Sequence, residues 1–498
     1  MGAQLGSLAA GAVALAMIVI VADAFVAPRS RSALPVRRGV GIVTLLLVAA
    51  LAFAILLTLA GTPSVAAVGV TALAFALSLV SNVKRKVLGE PLVFSDFALI
   101  GAVFQQPQFY LSALRPWQIG VLAAGFAGIA ASMVVFSSTD PMTRFAGLGL
   151  GLGAWAGLML VLPRLSQAVT APIPDAEIDV ERLGLAASLL AHWFLWRGSP
   201  DPSPCEAAPI AGQSGQLVVI VQCESFTDPG DLLGDSAPVL PGLQKARELA
   251  WRSGRLLVSG FGAYTMRTEY GVLFGRDEAL LGARRFDPFL TARGEASWAL
   301  PNRLDRSDWD SHFVHPHDLR FYGRDRLMPE IGFGTLVGDD SFPSPPPNAG
   351  RYVTDAAVTE RILELADTGP RARLIYAVTI ENHGPWSASD KNGSPAIASY
   401  LRLLSHSDAM LDRLLEALPR LGRPATLCFF GDHRPSIPGV SEPGQERHTP
   451  YVIVRFAADG SPIRGPDDAQ DLIPAELHHV LLEVIRSGEA EAQQKPVS

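Results

Sequence analysis

The sequence predicts an N-terminal α-helical membrane domain of about five spans, followed by an α/β domain with a mostly parallel β-sheet. Two observations lead to this fold class. Long apolar stretches are concentrated before residue 165, and beyond residue 215 short apolar runs alternate with helix-like stretches. At 498 residues the chain is also too long for one ordinary domain.

The membrane domain is predicted from five apolar stretches, at residues 8–27, 40–60, 65–83, 119–136 and 145–162. Each is close to the ~20 residues that a helix needs to cross a bilayer. Gly, Ala, Leu and Val dominate them, as is typical of helices that pack against one another in lipid. We therefore expect residues 1–165 to form a transmembrane helical domain.

The distribution of basic residues does not by itself decide the orientation of the chain in the membrane. Basic residues follow the first and third spans: Arg29, Arg31, Arg37, Arg38, Lys84, Arg85 and Lys86. By the positive-inside rule both loops are cytoplasmic, and five spans then leave the second domain in the cytoplasm too. A further apolar run, Leu183 to Trp196, is short for a span. We interpret it as an interfacial or domain-covering helix within a Pro- and Ala-rich linker over residues 166–214.

Beyond the linker, continuous rather than alternating apolar runs indicate strands that are buried on both faces. The predicted strands are Leu217–Gln222, Arg255–Ser259, His312–His315, Leu374–Ile380, Thr426–Phe430 and Tyr451–Phe456. Helices are predicted between them at Pro241–Trp251, Asp355–Ala366 and Ile397–Leu418. Alternation of strands and helices is typical of a parallel sheet.

Charge and cysteine content exclude some function classes. A net charge of −7 gives no sign of a nucleic-acid partner. Three cysteines, Cys205, Cys223 and Cys428, are too few for a disulfide framework, and their spacing fits no zinc knuckle. Cys223 and Cys428 lie in apolar runs, so we expect buried, inert thiols there.

Acidic residues and histidines follow three of the predicted strands. Glu224 follows the first, His383 follows Leu374–Ile380, and Asp432 and His433 follow Thr426–Phe430. Ligands of open α/β sheets bind beyond the carboxyl ends of the strands. A carboxylate there is costly to bury unpaired, and oxygen ligands with one histidine suit Mg²⁺, Mn²⁺ or Zn²⁺. The alternatives are a surface Glu224 and a helix-capping Asp432 beside a solvent-facing histidine.

A glycine-rich turn, Gly260-Phe261-Gly262, leads to Thr265 at the expected start of a helix. Free N–H groups and the dipole favour a phosphate at such a position. A hydroxyl beside a bound metal can attack phosphorus and form a covalent phosphothreonine. The alternative is that Thr265 only caps the helix, and Thr268 competes for the nucleophilic role.

Five motifs in order along the chain resemble those of the lipoteichoic acid synthase family: Glu224-Ser225, Gly260 to Glu269, Phe321 to Asp325, Asn382 to Trp386 and Gly431-Asp432-His433. That family includes phosphoglycerol transferases and belongs to the alkaline phosphatase superfamily. The resemblance implies an alkaline-phosphatase-like (sulfatase-like) catalytic domain over residues 215–490. It also implies an extracytoplasmic position for that domain, and the segment from Leu88 to Asp96 resembles an outward-facing loop of these proteins.

The resemblance also implies a set of metal ligands. One divalent ion is expected to be bound by Glu224, Thr265, Asp432 and His433. Mn²⁺ is the expected ion, and Mg²⁺ and Zn²⁺ are the alternatives. Thr265 is expected to be both ligand and nucleophile.

The remaining site residues are expected to bind the substrate. Arg324 and Tyr322 correspond to residues that hold glycerol phosphate, although Tyr322 stands where the family pattern has Trp. His383 is expected to contact the phosphoryl group or protonate a leaving oxygen, and His448 to support the substrate site.

The function implied is that of a metal-dependent phosphoglycerol transferase in the bacterial inner membrane, with a periplasmic catalytic domain. It would move glycerophosphate from phosphatidylglycerol to an envelope glycan or polymer. A phosphoethanolamine transferase is an alternative, although such enzymes usually carry disulfides. A sulfatase or phosphodiesterase is another, although the Cys/Ser-x-Pro-x-Arg sequence of sulfatases is missing around Thr265. A non-catalytic envelope assembly protein is the third.

Overall fold

The computed structural model describes residues 2–29, 39–101, 114–170, 172–343, 350–386, 396–444, 446–465 and 469–493. Arg31, Arg37 and Arg38, which contribute to the orientation prediction, lie outside these residues. The chain divides into two compact units, Met1–Ser199 and Pro200–Ser498.

The first unit is helical. Its described helices are α1 (Gly2–Ala24), α2 (Gly39–Ala60), α3 (Pro63–Leu88), α4 (Pro116–Phe136), α5 (Pro141–Ser166), α6 (Ala176–Leu183) and α7 (Leu185–Gly198). Among the described residues, α2 to α5 are long and apolar enough to cross a membrane, and α1 carries a shorter apolar stretch, Ala9–Ala24. The five predicted spans lie on α1 to α5, which confirms the helical membrane domain.

Small residues allow α2 and α5 to pack closely. A Cβ atom on Gly147 would lie 2.6 Å from the hydroxyl of Thr58, and one on Gly157 would lie 2.9 Å from the side chain of Leu47. A larger residue at Gly147 would collide with Thr58, and one at Gly157 would displace the Leu47 side chain, so small residues are favoured there, as is common where membrane helices meet. The side chain of Asp140 accepts hydrogen bonds from two backbone N–H groups in the first turn of α5 and so defines its start.

Polar contacts also stabilise the first unit. Lys84 Nζ lies 2.5 Å from Asp96 and 3.1 Å from the carbonyl of Pro91, so it closes the segment that follows α3. The run predicted as an interfacial or domain-covering helix forms α7, in which buried His192 lies 2.8 Å from Asp179 of α6.

The second unit is built on one mixed β-sheet. Its strands are β1 (Leu217–Cys223), β2 (Arg252–Leu257), β3 (Trp309–Val314), β4 (Thr335–Val337), β5 (Ala372–Val378), β6 (Ala425–Gly431), β7 (His448–Phe456) and β8 (Pro462–Ile463). In the described residues the order is β2-β7-β6-β1-β5-β3-β4, with β8 paired to β7. The five strands β6, β1, β5, β3 and β4 run parallel, while β2, β7 and β8 pair in an antiparallel way. The mostly parallel sheet is confirmed.

Helices surround this sheet: α8 (Gly230–Leu233), α9 (Pro241–Leu249), α10 (Thr265–Phe274), α11 (Glu278–Leu281), α12 (Pro288–Thr291), α13 (Arg324–Glu330), α14 (Asp355–Ala366), α15 (Ala396–Ala417) and α16 (Pro474–Gln493). Alternate side chains of β1 join a core with residues of α9, α14 and α15. Gln222, on the other side of the strand, reaches the backbone of Thr265 in α10. Burial on both faces explains why β1 is continuously apolar.

The strand order decides where chemistry can occur. β1 lies between β6 and β5, and all three run parallel, so their carboxyl ends meet at one edge of the sheet. Cys223 pairs with Gly431, which places Glu224 and Asp432 on neighbouring strands at the same level.

Candidate metal centre

Three predicted ligands come together at the carboxyl edge of the sheet. One donor atom from each of Glu224, Asp432 and His433 lies within 4.8 Å of the other two, and all three residues are buried. The Nε2 atom of His433 is 3.4 Å from Glu224 Oε1 and 3.6 Å from Asp432 Oδ2. The three donors therefore converge on one point.

The protonation and hydrogen bonding of this group fit a cation. Burial and the negative charge of Asp432 raise the pKa of the Glu224 carboxyl to about 8. Asp432 Oδ1 accepts hydrogen bonds from the backbone N–H groups of Ser225 and His433, whereas its buried Oδ2 has no hydrogen-bond partner within the described residues. Two buried carboxylates with an unsatisfied oxygen, facing one imidazole nitrogen, are the donor set of a divalent metal.

The orientation of the His433 ring is set by a backbone carbonyl. Nδ1 of His433 lies 3.1 Å from the carbonyl oxygen of Arg434, so Nδ1 donates and Nε2 keeps its lone pair for a metal. The same carbonyl accepts a hydrogen bond of 2.9 Å from the backbone N–H of Gly262. One acceptor therefore connects the histidine to the glycine-rich turn.

That turn places Thr265 at the start of α10. The residue before it, Tyr264, is the N-cap and has a left-handed backbone (φ 74°), so Thr265 is the first helical residue rather than the cap. Gly262 is also left-handed (φ 65°), and a Cβ atom on Gly260 would lie 2.7 Å from the carbonyl of Ala263. The turn thus requires its two glycines.

Thr268, the competing threonine, is engaged elsewhere. Its side chain is fully buried, and its hydroxyl donates a hydrogen bond of 2.7 Å to the carbonyl oxygen of Asp432. This bond attaches the first turn of α10 to the loop that carries two metal ligands. The Thr268 hydroxyl is thereby engaged, and the choice of Thr265 as nucleophile stays a prediction.

Arg324 lies in an ion pair that the sequence did not predict. It is 1% exposed, and its Nε and NH2 atoms lie 3.1 Å and 2.5 Å from the two carboxylate oxygens of Glu269 in α10. Its guanidinium is 5.3 Å from the ring centre of Tyr322, whose backbone is left-handed (φ 58°). Burial and the charge of Asp432 raise the pKa of Glu224, and the charge of Arg324 offsets a small part of that rise, so the arginine acts electrostatically on one of the metal donors.

His383 lies in the loop after β5. Its Nδ1 atom is 2.7 Å from the carbonyl oxygen of Gly384, so Nδ1 carries the proton and Nε2 has a lone pair when the ring is neutral. Burial lowers the pKa of His383, while the charge of Asp432 opposes that shift. The ring of Tyr352 packs edge-on against His383 at 5.8 Å.

His448 is not part of the ligand group that the described residues form. It begins β7, and its Nε2 atom lies 3.0 Å from Asp231 Oδ2 and 3.1 Å from NH2 of Arg434. His448 therefore contacts the metal-ligand group indirectly, through Arg434, which follows His433 in the sequence.

Sequence reasoning missed several residues around the centre. Buried His315 lies between the carbonyl of Val378, at 3.0 Å, and NH1 of Arg324, at 3.4 Å. It follows β3 directly, so the rule that selected the other strand-end residues would also have selected His315. Glu381 also follows a strand, and its contacts with Asp355 and His406 depend on residues that are distant in the sequence.

Comparison with known proteins gives consistent matches. The profile of the sulfatase family matches residues 216–479. The capsular polysaccharide biosynthesis protein RkpI of Rhizobium meliloti (strain 1021) is 31% identical over 457 residues, which are 86% of this chain and 84% of RkpI.

Solved structures also resemble the chain. Lipooligosaccharide phosphoethanolamine transferase A (EptA) of Neisseria meningitidis matches with a TM-score of 0.52 and 11% identity over 95% of both chains, so the fold is shared. Phosphoglycerol transferase GacH of Streptococcus pyogenes matches with a TM-score of 0.45 and 20% identity over 54% of this chain and 74% of GacH.

Proposed function

The chain belongs to the sulfatase family, and from that premise we propose that it is a membrane-anchored, metal-dependent phosphoglycerol transferase. It moves glycerophosphate from phosphatidylglycerol to a hydroxyl of an envelope glycan through a covalent phosphothreonine at Thr265. The observation that carries the proposal is the attachment of the first turn of α10 to the Asp432 loop, beside three converging metal donors.

Glu224, Asp432 and His433, with the hydroxyl of Thr265, would hold a divalent metal. A divalent cation bound there, Mn²⁺ by family resemblance, would supply positive charge that lowers the pKa of the Thr265 hydroxyl and offsets charge on the phosphoryl oxygens. The unsatisfied Oδ2 of Asp432 and the raised pKa of Glu224 support this assignment.

The first half-reaction transfers glycerophosphate to the protein. The Thr265 oxygen forms a bond to phosphorus, and the bond between phosphorus and the diacylglycerol oxygen breaks. The hydroxyl proton of Thr265 is balanced by the proton that the departing diacylglycerol takes up. The backbone N–H groups at the start of α10 and the dipole of that helix favour the phosphoryl group next to Thr265.

The second half-reaction reverses this exchange with a new alcohol. A glycan hydroxyl attacks phosphorus, the bond between phosphorus and Thr265 breaks, and the proton of the glycan hydroxyl is returned to Thr265. Nε2 of His383 is the proton carrier in both halves, because its neutral ring can accept a proton from one alcohol and deliver it to another.

Arg324 stabilises charge on the phosphoryl oxygens in both halves. Its ion pair with Glu269 holds the guanidinium in one place, and its charge already reaches Glu224. A cation held in position before the reaction requires no reorganisation as charge develops.

The glycan acceptor is supported by the relative RkpI, a capsular polysaccharide biosynthesis protein. The lipid donor is supported by the helices of the first unit that are long enough to cross a membrane. The catalytic domain is placed on the periplasmic side of the bacterial inner membrane, as the family resemblance implies.

The test is turnover of a fluorescent phosphatidylglycerol to diacylglycerol by the purified full chain in detergent, with Mn²⁺. Thr265→Ala is expected to abolish turnover, whereas Thr268→Ser is expected to retain most of it. Retained turnover in Thr265→Ala would exclude this nucleophile. Release of diacylglycerol from phosphatidylethanolamine but not from phosphatidylglycerol would replace the proposed donor by the phosphoethanolamine alternative.

A further inference from the structure

A cluster of buried acidic residues includes Glu381, which begins the loop Glu381–Trp386 that carries His383. The cluster has no part in the reaction proposed above. It consists of Glu381 in that loop, Asp355 at the start of α14, and the neighbours His406 and Ser407 on α15. Glu381 is 4% exposed and Asp355 is fully buried. Two buried carboxyl groups this close together are unfavourable unless hydrogen bonds or an opposite charge compensate them.

Glu381 uses both carboxylate oxygens. Oε2 accepts a hydrogen bond of 2.7 Å from the backbone N–H of Asp355, the first residue of α14. Oε1 lies 2.8 Å from Nδ1 of His406, whose side chain is 44% exposed. A loop residue two positions before His383 is thus anchored at once to the N-terminus of one helix and to the middle of another.

Asp355 completes the cluster. Its Oδ2 atom accepts a hydrogen bond of 2.6 Å from the hydroxyl of Ser407, while its buried Oδ1 has no hydrogen-bond partner within the described residues. An unsatisfied buried oxygen of this kind is destabilising. The arrangement is therefore poorly explained by stability alone.

The helix α15 supports both sides of the active centre. The Tyr400 hydroxyl donates a hydrogen bond of 2.9 Å to the carbonyl of Ser225, next to the metal donor Glu224. Its ring packs edge-on against Trp386, at the far end of the His383 loop. His406, nearly two turns along α15, holds Glu381 at the near end of that loop.

We propose that Glu381 and His406 are positioning residues that hold the loop Glu381–Trp386 so that Nε2 of His383 faces the phosphoryl group. The inference rests on the proposed function, because it assigns a role through His383. Neither residue touches the substrate: the Glu381 carboxylate is fully engaged by Asp355 and His406.

The charges around the cluster make the arrangement sensitive to pH. Burial and the charge of Glu381 raise the pKa of Asp355 to about 7, and the hydrogen bond with Glu381 raises the pKa of His406. Arg402 on the same helix opposes the second shift, and the thiol of Cys223 on β1 faces Asp355. On the alkaline side His406 loses its positive charge, which weakens its ion pair with Glu381, whereas the negative charge of Asp355 opposes that loss.

The test is a double-mutant cycle on the full chain, with the donor that the wild-type protein turns over. His406→Ala is expected to lower kcat about tenfold to a hundredfold with little change in the KM of the donor, because the metal and Arg324 still bind it. His406→Asn, whose amide can replace Nδ1 as donor to Glu381, is expected to recover most of kcat. Asp412→Asn on α15, which removes only a surface pair with Lys245, is the matched control.

The decisive comparison is made in a His383→Ala background. If His406 acts through His383, His406→Ala lowers kcat no further there. A loss of the same size in both backgrounds, or no loss in either, overturns the proposal. Should His406→Ala fail to fold, Glu381→Gln, which keeps only one of the two acceptor oxygens, provides the same cycle.

Failure of the inference and failure of the proposed function are distinguishable. The function fails when Thr265→Ala keeps its turnover, whatever the cycle shows. The positioning role fails when Thr265→Ala is inactive and the His406 and His383 effects are nonetheless additive.

Discussion

The hydroxyl of Thr268 donates a hydrogen bond of 2.7 Å to the carbonyl oxygen of Asp432. The bond joins a helix and a strand end that are 164 positions apart in the sequence. It sets the position of the first turn of α10, and with it Thr265, relative to the metal donors.

Thr268→Val is therefore expected to affect both stability and activity. Valine has nearly the same shape but leaves the Asp432 carbonyl without its donor, which should lower the free energy of unfolding by about 1–3 kcal/mol. Turnover should fall but not vanish, because Thr265 keeps its hydroxyl. Urea unfolding and the diacylglycerol assay measure the two effects, with Thr268→Ser as control. A variant as stable and as active as wild type would show that the bond has no positioning role.

The raised pKa of the Glu224 carboxyl predicts that the free energy of unfolding of the metal-free protein falls as pH rises. The pKa of about 8 lies above the ordinary value of 4.5, so the folded state retains a proton that the unfolded state releases between these pH values. The free energy of unfolding should therefore fall as pH rises from about 5 to 8, by up to about 1.4 kcal/mol per pH unit. Chemical unfolding at several pH values, with chelator present, measures the slope.

Glu224→Gln is the control for that slope. It should flatten part of the pH dependence, and the part that remains includes the contributions of Asp355 and Glu269, whose pKa values are raised as well. Excess Mn²⁺ should stabilise the wild-type protein most at the alkaline end, because the metal replaces the proton. A slope that Glu224→Gln leaves unchanged would contradict the assignment.

Variants of the ion pair between Arg324 and Glu269 should distinguish its effect on stability from its effect on activity. Arg324→Met leaves a buried carboxylate without its partner and should lower the free energy of unfolding by about 3–5 kcal/mol. Adding Glu269→Gln removes the unpaired charge, so the double variant should regain most of that stability. It should nonetheless stay nearly inactive, because the phosphoryl oxygens still lack the guanidinium. An active double variant would rule out the role of Arg324 in charge stabilisation.

The orientation of the chain is open to a direct experiment. If the catalytic unit is periplasmic, alkaline phosphatase fused after residue 498 should be active, whereas green fluorescent protein fused there should be dark. Fusions within residues 30–38 provide an internal reference. The opposite pattern would place the unit in the cytoplasm and remove the argument for a lipid donor from the outer face.

Much of the fold was predictable because its signals are local. Each of the five apolar runs lies on one of the helices α1 to α5, and Asp355–Ala366 was predicted with the bounds that α14 has. The strands β4 and β8 were missed, since runs of three and two residues show no periodicity. The antiparallel pairing of β7 with β6 was not predicted either, because direction depends on a partner strand and not on the residues of β7 alone.

By itself, the sequence determined that Glu224, Asp432 and His433 meet, because each follows a strand of one parallel sheet and such strands end at the same edge. It also determined that a glycine turn leads into a helix at Thr265. Only the tertiary structure decided which side chains contact one another. The contacts are Thr268 with the carbonyl of Asp432, Arg324 with Glu269, His448 with Arg434, and Glu381 with His406. The physical reason is that these contacts join side chains from elements distant in the chain. Their partners depend on how the helices pack on the sheet, which local propensity does not determine.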